Sequence, residues 1–100
     1  MINARENLLN TTNKLLTAGL NHGASGNCSC RDRGGFLITP TGIDSSKLTT
    51  DMMVRMNFSD DLPQPASKYQ PSSEWQFHQA ILEKYPEINA VVHTHSVFAS

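Results

Sequence analysis

Charged residues are scarce in this 100-residue sequence. Asp, Glu, Lys and Arg together make up 17% of it, and the formal net charge is -1. So few basic residues create no positive field that could attract nucleic acid, and nucleic acid is therefore excluded as an expected partner. No apolar run approaches the roughly 20 residues that a helix needs to cross a bilayer, so no membrane association is expected.

Cysteine is equally rare, with only Cys28 and Cys30 present. Two cysteines so close on one strand rarely form a disulfide. The segment from Met1 to Glu6 also lacks the basic and then apolar profile of a signal peptide. A reducing, cytoplasmic location is the expectation. Without further cysteines a Cys-x-Cys metal site is disfavoured, and we expect the two side chains to fill apolar space.

An amphipathic helix is predicted from Ala4 to Leu20, because the residues of one face recur three and four apart. They are Leu8, Leu9, Thr12, Leu15, Leu16, Gly19 and Leu20. Asn3 with Glu6 predicts a capping box at its start, and Asn21-His22-Gly23 predicts its end. His22, at that end, is given no catalytic role.

A second helix is predicted to begin at Ser73, in a capping box with Gln76, and to run to Tyr85, where Pro86 ends it. His78 lies within this helix. We expect it to be a buried supporting group and not a metal ligand.

Apolar and β-branched runs between and after the helices predict short strands. The segment 32–35, Asp-Arg-Gly-Gly, predicts a tight hairpin between the first two of them. A single helical turn is predicted near 45–48. The predicted strands are 28–31, 36–39, 52–58 and 87–93.

The last predicted strand ends in His93-Thr94-His95. Because successive side chains on a strand point to opposite faces, His93 and His95 would point the same way. Two imidazoles so placed are pre-aligned metal ligands, and zinc is the common ion that imidazole suits best. A lone His-x-His pair is equally compatible with surface polarity or packing, so its context must decide.

Glu74 supplies a carboxylate directly after Ser72 and Ser73, where the second helix is predicted to start. Backbone amides at a helix N-terminus, together with two hydroxyl groups, form a natural anion site that suits a phosphate. The carboxylate could complete a metal site or transfer a proton beside it.

Two loops of small polar residues add to this set. Gly26-Asn27 precedes the first strand, and Thr41-Gly42 follows the second. Small side chains let backbone N–H groups approach a ligand closely, although each loop taken alone could be an ordinary turn.

These groups together predict a metal-assisted reaction next to a carbonyl in a small phosphorylated compound. No lysine stands in a context suited to a Schiff base, so an imine mechanism is less attractive.

Four motifs, in order and at similar spacing, resemble those of the class II aldolase/adducin family. The resemblance implies an α/β fold: a three-layer α/β/α domain with a mainly antiparallel central sheet. Residues 1–100 would then be the N-terminal part of a single such domain, truncated soon after the histidines. The motifs are Gly26-Asn27, Thr39-Pro40-Thr41-Gly42, Pro71-Ser72-Ser73-Glu74-Trp75 and His93-Thr94-His95.

By resemblance, the protein would be a lyase that reversibly cleaves a phosphorylated ketose, such as L-fuculose 1-phosphate. The products would be dihydroxyacetone phosphate and an aldehyde, formed through a metal-stabilised enediolate. Glu74 would be the catalytic acid/base and a Zn²⁺ ligand in the resting enzyme, with His93 and His95 as further Zn²⁺ ligands. A third zinc histidine would lie downstream of this chain, and the enzyme would be a homotetramer with active sites at subunit interfaces. The substrate phosphate would be bound by Gly26, Asn27, Thr41, Gly42, Ser72 and Ser73.

Three alternatives stay open on the same scaffold: a sugar-phosphate 4-epimerase, a methylthioribulose-phosphate dehydratase and a non-catalytic adducin-like binding module. A glutamate instead of an aspartate at Glu74 favours the aldolase over the epimerase branch. The histidine pair argues against the adducin-like branch, which has no need of a metal.

Overall fold

A four-stranded antiparallel sheet forms the middle of the fold. The computed structural model describes residues 3–20, 26–59 and 68–94. The strands of the sheet are β1 (Asn27–Asp32), β2 (Gly35–Ile38), β3 (Val54–Asn57) and β4 (Ala90–His93). They lie in the order β3-β2-β1-β4.

Two helices cover opposite faces of this sheet. Helix α1 is Ala4–Thr17 and helix α2 is Trp75–Lys84. On the α1 side the buried cluster is Leu8, Cys28, Leu37 and Met53. On the α2 side it is Phe36, Ile38, Val54, Met56, Leu82 and Val91. The predicted three-layer α/β/α architecture with an antiparallel sheet is therefore confirmed.

Alternation along the strands explains how two helices share one sheet. Leu37 faces α1, whereas its neighbours Phe36 and Ile38 face α2. Cys28 lies buried on the α1 side, and both cysteines are free thiols, as the sequence predicted. None of the helices in the described ranges is long and apolar enough to cross a bilayer.

Helix α1 begins as predicted and ends earlier than predicted. Asn3 caps its start by accepting a hydrogen bond from the Glu6 amide at 2.9 Å. Its end is set by Gly19, which has a φ of +76°. The Leu20 amide donates to Leu15 O at 2.9 Å, and this closes the turn in the pattern typical of a left-handed C-terminal residue. The predicted terminator at 21–23 lies outside the described residues.

Helix α2 begins at Trp75, two residues after its predicted start. The Ser73–Gln76 capping box was wrong, because Glu74 is the N-cap residue and has no side-chain cap. Ser72 O accepts from the Trp75 amide at 3.0 Å, so a turn occupies the predicted first helical residues. The helix ends before Pro86, as predicted.

Strands β3 and β4 are shorter than predicted, for local reasons. Thr50–Met52 forms a 3₁₀ turn, so β3 starts only at Val54. The Ile88 amide donates to Tyr85 O at 2.9 Å, and the resulting turn delays β4 until Ala90. The predicted hairpin between β1 and β2 is confirmed, and the predicted turn near 45–48 is a 3₁₀ helix, Ser45–Lys47.

Arg31 on β1 holds the C-terminal end of α2. Its Nη2 donates to Leu82 O at 2.5 Å and to Tyr85 O at 3.2 Å, and its Nε donates to Ile88 O at 3.0 Å. A cation at this end also suits the helix dipole. The contact therefore fixes how α2, which carries Glu74 at its other end, lies on the sheet.

We predict that Arg31→Lys destabilises the fold. One ammonium group cannot serve several carbonyls as the forked guanidinium does. Leaving the partly buried carbonyls of Leu82 and Ile88 without these donors costs on the order of 1 kcal/mol in the free energy of unfolding, measurable by urea denaturation.

Arg33→Lys is the matched control, because the Arg33 side chain is 89% exposed and its ion pair with Asp32 is a long one of 3.7 Å. Such a surface substitution should change stability by less than about 0.5 kcal/mol. Equal effects of the two substitutions would refute the capping role of Arg31.

Candidate active site

The candidate site lies at the end of the sheet where β1 begins and β4 ends. The register of the β1–β4 pair places Asn27 opposite His93. The same register places Val91 opposite Ser29, and Val91 is buried on the α2 side. His93 is two residues further along, so it faces α2 as well.

The two loops that carry the remaining candidate residues run side by side. The Thr41 amide donates to Gln70 O at 3.0 Å, and the Ser72 amide donates to Thr39 O at 2.9 Å. The Cys28 amide donates to Thr39 Oγ1 at 3.2 Å, which ties this pair of loops to the start of β1. Residues far apart in sequence are thereby brought to one end of the sheet.

The predicted anion-binding residues differ in their exposure. Thr41, Gly42 and Ser73 are exposed, and Gly42 has a φ of +74°, a conformation that suits glycine. Ser72 is buried, and its Oγ accepts from the Glu74 amide at 3.3 Å. Ser72 therefore stabilises the turn that leads into α2, and its hydroxyl proton can still be donated.

Glu74 and His93 are in direct contact across this end of the sheet. His93 Nδ1 is hydrogen-bonded to Glu74 Oε2, and both side chains are partly exposed. This hydrogen bond is the main cause that lowers the pKa of Glu74 below its usual value, and a hydrogen bond from Asn27 acts in the same direction. The carboxylate is therefore held in its ionised form.

A carboxylate and an imidazole placed side by side fit zinc by donor type. Glu74 and His93 are the two predicted ligands that the structure brings together. The third, His95, lies outside the described residues. Within 3–20, 26–59 and 68–94 there is no group of three His, Cys, Asp or Glu side chains that could hold a metal.

His78 lies beneath this pair and is completely buried. Its Nε2 is 2.5 Å from Asn27 Oδ1, and its Nδ1 is 2.6 Å from Ser29 Oγ. Burial lowers the pKa of His78 to about 4, although the charge of Glu74 opposes this shift. The imidazole is therefore neutral at physiological pH, and the prediction that His78 is buried is confirmed.

Ser29 is the residue of this site that the sequence did not single out. It lies between Cys28 and Cys30 on β1, where alternation predicts that it faces away from them. That signal shows on which side of the strand Ser29 lies. It carries no information that His78, 49 residues later in the chain, would be its partner.

Comparison with known proteins agrees with the three-layer fold described above. The sequence pattern of the family described as the class II aldolase and adducin N-terminal domain matches residues 6–100. The fold thus defines the chain as a three-layer α/β/α domain of the aldolase type. The chain belongs to the class II aldolase and adducin N-terminal domain family.

Similar proteins are enzymes by name. The chain is 48% identical over 96 residues to a 5-methylthioribulose-1-phosphate/5-deoxyribulose-1-phosphate aldolase of Escherichia coli, covering 96% of this chain and 44% of that protein. It is 43% identical over 90 residues to an L-fuculose phosphate aldolase, also of Escherichia coli, covering 90% and 40%.

A solved structure of an L-fuculose 1-phosphate aldolase superimposes with a TM-score of 0.85 at 30% identity, covering 96% of this chain and 45% of that one. The chain therefore spans less than half the length of the relatives that it matches.

We predict that acid destabilises this fold through His78. The free imidazole has a pKa of 6.5 and the buried one about 4, so the unfolded state binds more protons in between. Stability is complete above the unfolded value and falls as the pH drops from 6.5 through 4. The loss from this group is at most about 3 kcal/mol in the free energy of unfolding.

Urea unfolding at about pH 7 and about pH 4.5 measures this loss, with His78→Gln as the comparison. Glu74 also has a lowered pKa and contributes acid sensitivity to both proteins, so the informative quantity is the difference between them. The variant should lose less stability than the wild type. Identical losses would show that His78 is not the sensitive group.

Proposed function

We propose that residues 1–100 are the N-terminal part of a single-domain zinc-dependent aldehyde-lyase. The enzyme would reversibly cleave a phosphorylated ketose into dihydroxyacetone phosphate and an aldehyde. One observation carries the proposal: the Glu74 carboxylate is hydrogen-bonded to the His93 imidazole. This contact lies at the end of the sheet where the loops of Thr41 and Ser72 run side by side. A proton-transferring group, a metal donor and anion-binding loops are thus neighbours.

The substrate phosphate would bind to the loops around this pair. The Thr41 amide already donates to Gln70 O, so the exposed residues of this loop would offer the Thr41 hydroxyl and the Gly42 N–H. Further hydroxyls lie at the entry to α2. Asn27 adds a side-chain amide from β1. The proposed phosphate-binding residues are Gly26, Asn27, Thr41, Gly42, Ser72 and Ser73.

Zinc would be held by Glu74, His93 and His95, with a further histidine expected from the rest of the enzyme. When bound, it supplies Lewis acidity that draws electron density from the ketose oxygens. Glu74 acts as a ligand in the resting enzyme and as the proton-transferring group when substrate is bound, because one carboxylate cannot do both at once.

Glu74 would move a proton at carbon. In the direction of synthesis, its ionised carboxylate would accept the proton from the carbon beside the carbonyl of dihydroxyacetone phosphate. That carbon would then bond to the carbonyl carbon of the aldehyde, whose C=O π bond opens, and the aldehyde oxygen would take a proton from water. In the direction of cleavage, Glu74 returns its proton to the same carbon after the bond has broken. The lowered pKa of Glu74 keeps its carboxylate ionised at neutral pH, which is the form that can accept a proton.

The substrate would be a ketose 1-phosphate. The two related enzymes are named for 5-methylthioribulose 1-phosphate, 5-deoxyribulose 1-phosphate and L-fuculose phosphate. These names share a phosphorylated ketose, which suits phosphate-binding loops beside a metal site. The proposed enzyme is a homotetramer. Its proposed location is the cytoplasm, since a charged sugar phosphate does not cross membranes unaided.

We predict that Glu74→Gln in the full-length enzyme lowers kcat by about 10²–10⁴-fold. Glutamine keeps the size of the side chain and removes its ability to accept a proton. Steady-state cleavage assays that detect dihydroxyacetone phosphate measure the effect. Glu87→Gln makes the same change at an exposed position and should keep wild-type kcat.

An unchanged kcat in Glu74→Gln would remove this carboxylate from the chemistry. Products other than dihydroxyacetone phosphate would redirect the assignment: loss of water would indicate a dehydratase, and formation of an epimer would indicate an epimerase.

We also predict that the full-length enzyme contains zinc that His93 helps to hold. Dialysis against a chelator should abolish activity, and added Zn²⁺ should restore it. His93→Ala should lower the zinc content measured by elemental analysis, because one ligand is lost. A preparation that keeps full activity without metal would rule out the metal mechanism, and zinc-free, inactive protein would favour an adducin-like binding module.

A further inference from the structure

Three side chains form a buried hydrogen-bonded series beneath the candidate site. Ser29, His78 and Asn27 are 1%, 0% and 7% exposed. The two contacts join Ser29 Oγ to His78 Nδ1 and His78 Nε2 to Asn27 Oδ1. Ser29 and His78 are not among the residues to which a role in substrate binding has been given above.

The chemistry of each group fixes the direction of these hydrogen bonds. An amide oxygen can only accept, so Nε2 of His78 carries the proton and donates to Asn27. A neutral imidazole has one N–H, so Nδ1 carries none and accepts from the Ser29 hydroxyl. His78 is 0% exposed and its two ring partners are both neutral, which favours the neutral imidazole.

The contact with Glu74 fixes the amide of Asn27 independently, because an ionised carboxylate can only accept a hydrogen bond. The amide oxygen is held by His78, so the NH₂ group points away from the imidazole, and a hydrogen bond from Asn27 contributes to the low pKa of Glu74. The opposite orientation would turn the amide oxygen towards the carboxylate, and that contact would be repulsive. It would also place the NH₂ group against Nε2 of His78, which is favourable only if the imidazole carries its proton on Nδ1 and donates it to Ser29 Oγ.

We propose that His78 is a positioning residue that locks the Asn27 amide with its NH₂ group directed towards Glu74, beside which the substrate would bind. The locked donor would face an anionic group of the substrate, which under the proposed function is the phosphate. A free asparagine presents donor and acceptor edges interchangeably, whereas a locked one presents only the donor. The part of this inference that concerns phosphate rests on the proposed function, and the part that concerns the amide orientation does not.

The first experiment compares His78→Phe with His78→Gln in the full-length enzyme. Phenylalanine keeps a ring and removes the donor to Asn27. Glutamine retains a side-chain NH₂ group that can reach the same oxygen. Gln76→Ala, at an exposed position of α2, is the control and should behave as the wild type.

His78→Phe should raise KM for the ketose phosphate and the inhibition constant of inorganic phosphate by about tenfold or more, as expected for one hydrogen bond to a charged group. His78→Gln should recover most of that loss. A purely structural role would lower the unfolding midpoint and leave the phosphate constant unchanged. Wild-type phosphate affinity in a folded His78→Phe variant, or equal losses in both variants, would overturn the proposal.

The second experiment needs neither a variant nor activity. Nitrogen-15 NMR of the histidine-labelled protein at neutral pH reports which ring nitrogen of His78 carries the proton. We expect Nε2–H with a bare Nδ1, and the other tautomer or an imidazolium would overturn the proposal. This result stays informative if no aldolase activity is found, so failure of the inference can be told apart from failure of the proposed function. It also stands if His78→Phe does not fold.

Discussion

The antiparallel pairing of β1 with β4 is the constraint on which the site depends. Asn27 and His93 are opposite one another in that register. Because side chains alternate along a strand, a slip of one residue would turn His93 to the α1 face and separate it from Glu74. Val91 resists such a slip, since its burial between the sheet and α2 would be lost with it. Apolar packing thus holds a polar site in place.

The site also requires that α2 begin at a fixed position along the sheet. Glu74 is the N-cap residue of α2, and its backbone is held by Ser72. At the other end of the helix, Arg31 binds the last carbonyls and ties them to β1. The helix is therefore fixed at both ends to strands or loops of the same sheet. The backbone of Glu74 is thereby held where its carboxylate reaches His93.

The sequence predicted which elements exist and which faces they bury, because hydrophobic periodicity records those properties locally. It placed His93 and Glu74 in one site through strand alternation and a helix start. It misplaced the ends of elements wherever distant contacts or glycine geometry decide, as at Gly19 and at the turn before Trp75. The hydrogen bond between Ser29 and His78 could not be predicted from the sequence, because it depends on the sheet register and the position of α2 together. Zinc binding by His95 stays a prediction.

The buried polar series of Ser29, His78 and Asn27 calls for a reason other than stability. A hydrogen bond made on folding contributes only about 1 kcal/mol net, and removing polar groups from water offsets much of that gain. Apolar side chains of similar size would fill the same space beside Leu82 and Val91 without this cost. What apolar side chains cannot do is hold an amide in one of its two orientations. A fully satisfied polar network does so rigidly, and it stands next to the ionised carboxylate of Glu74, where the direction of a donor matters most.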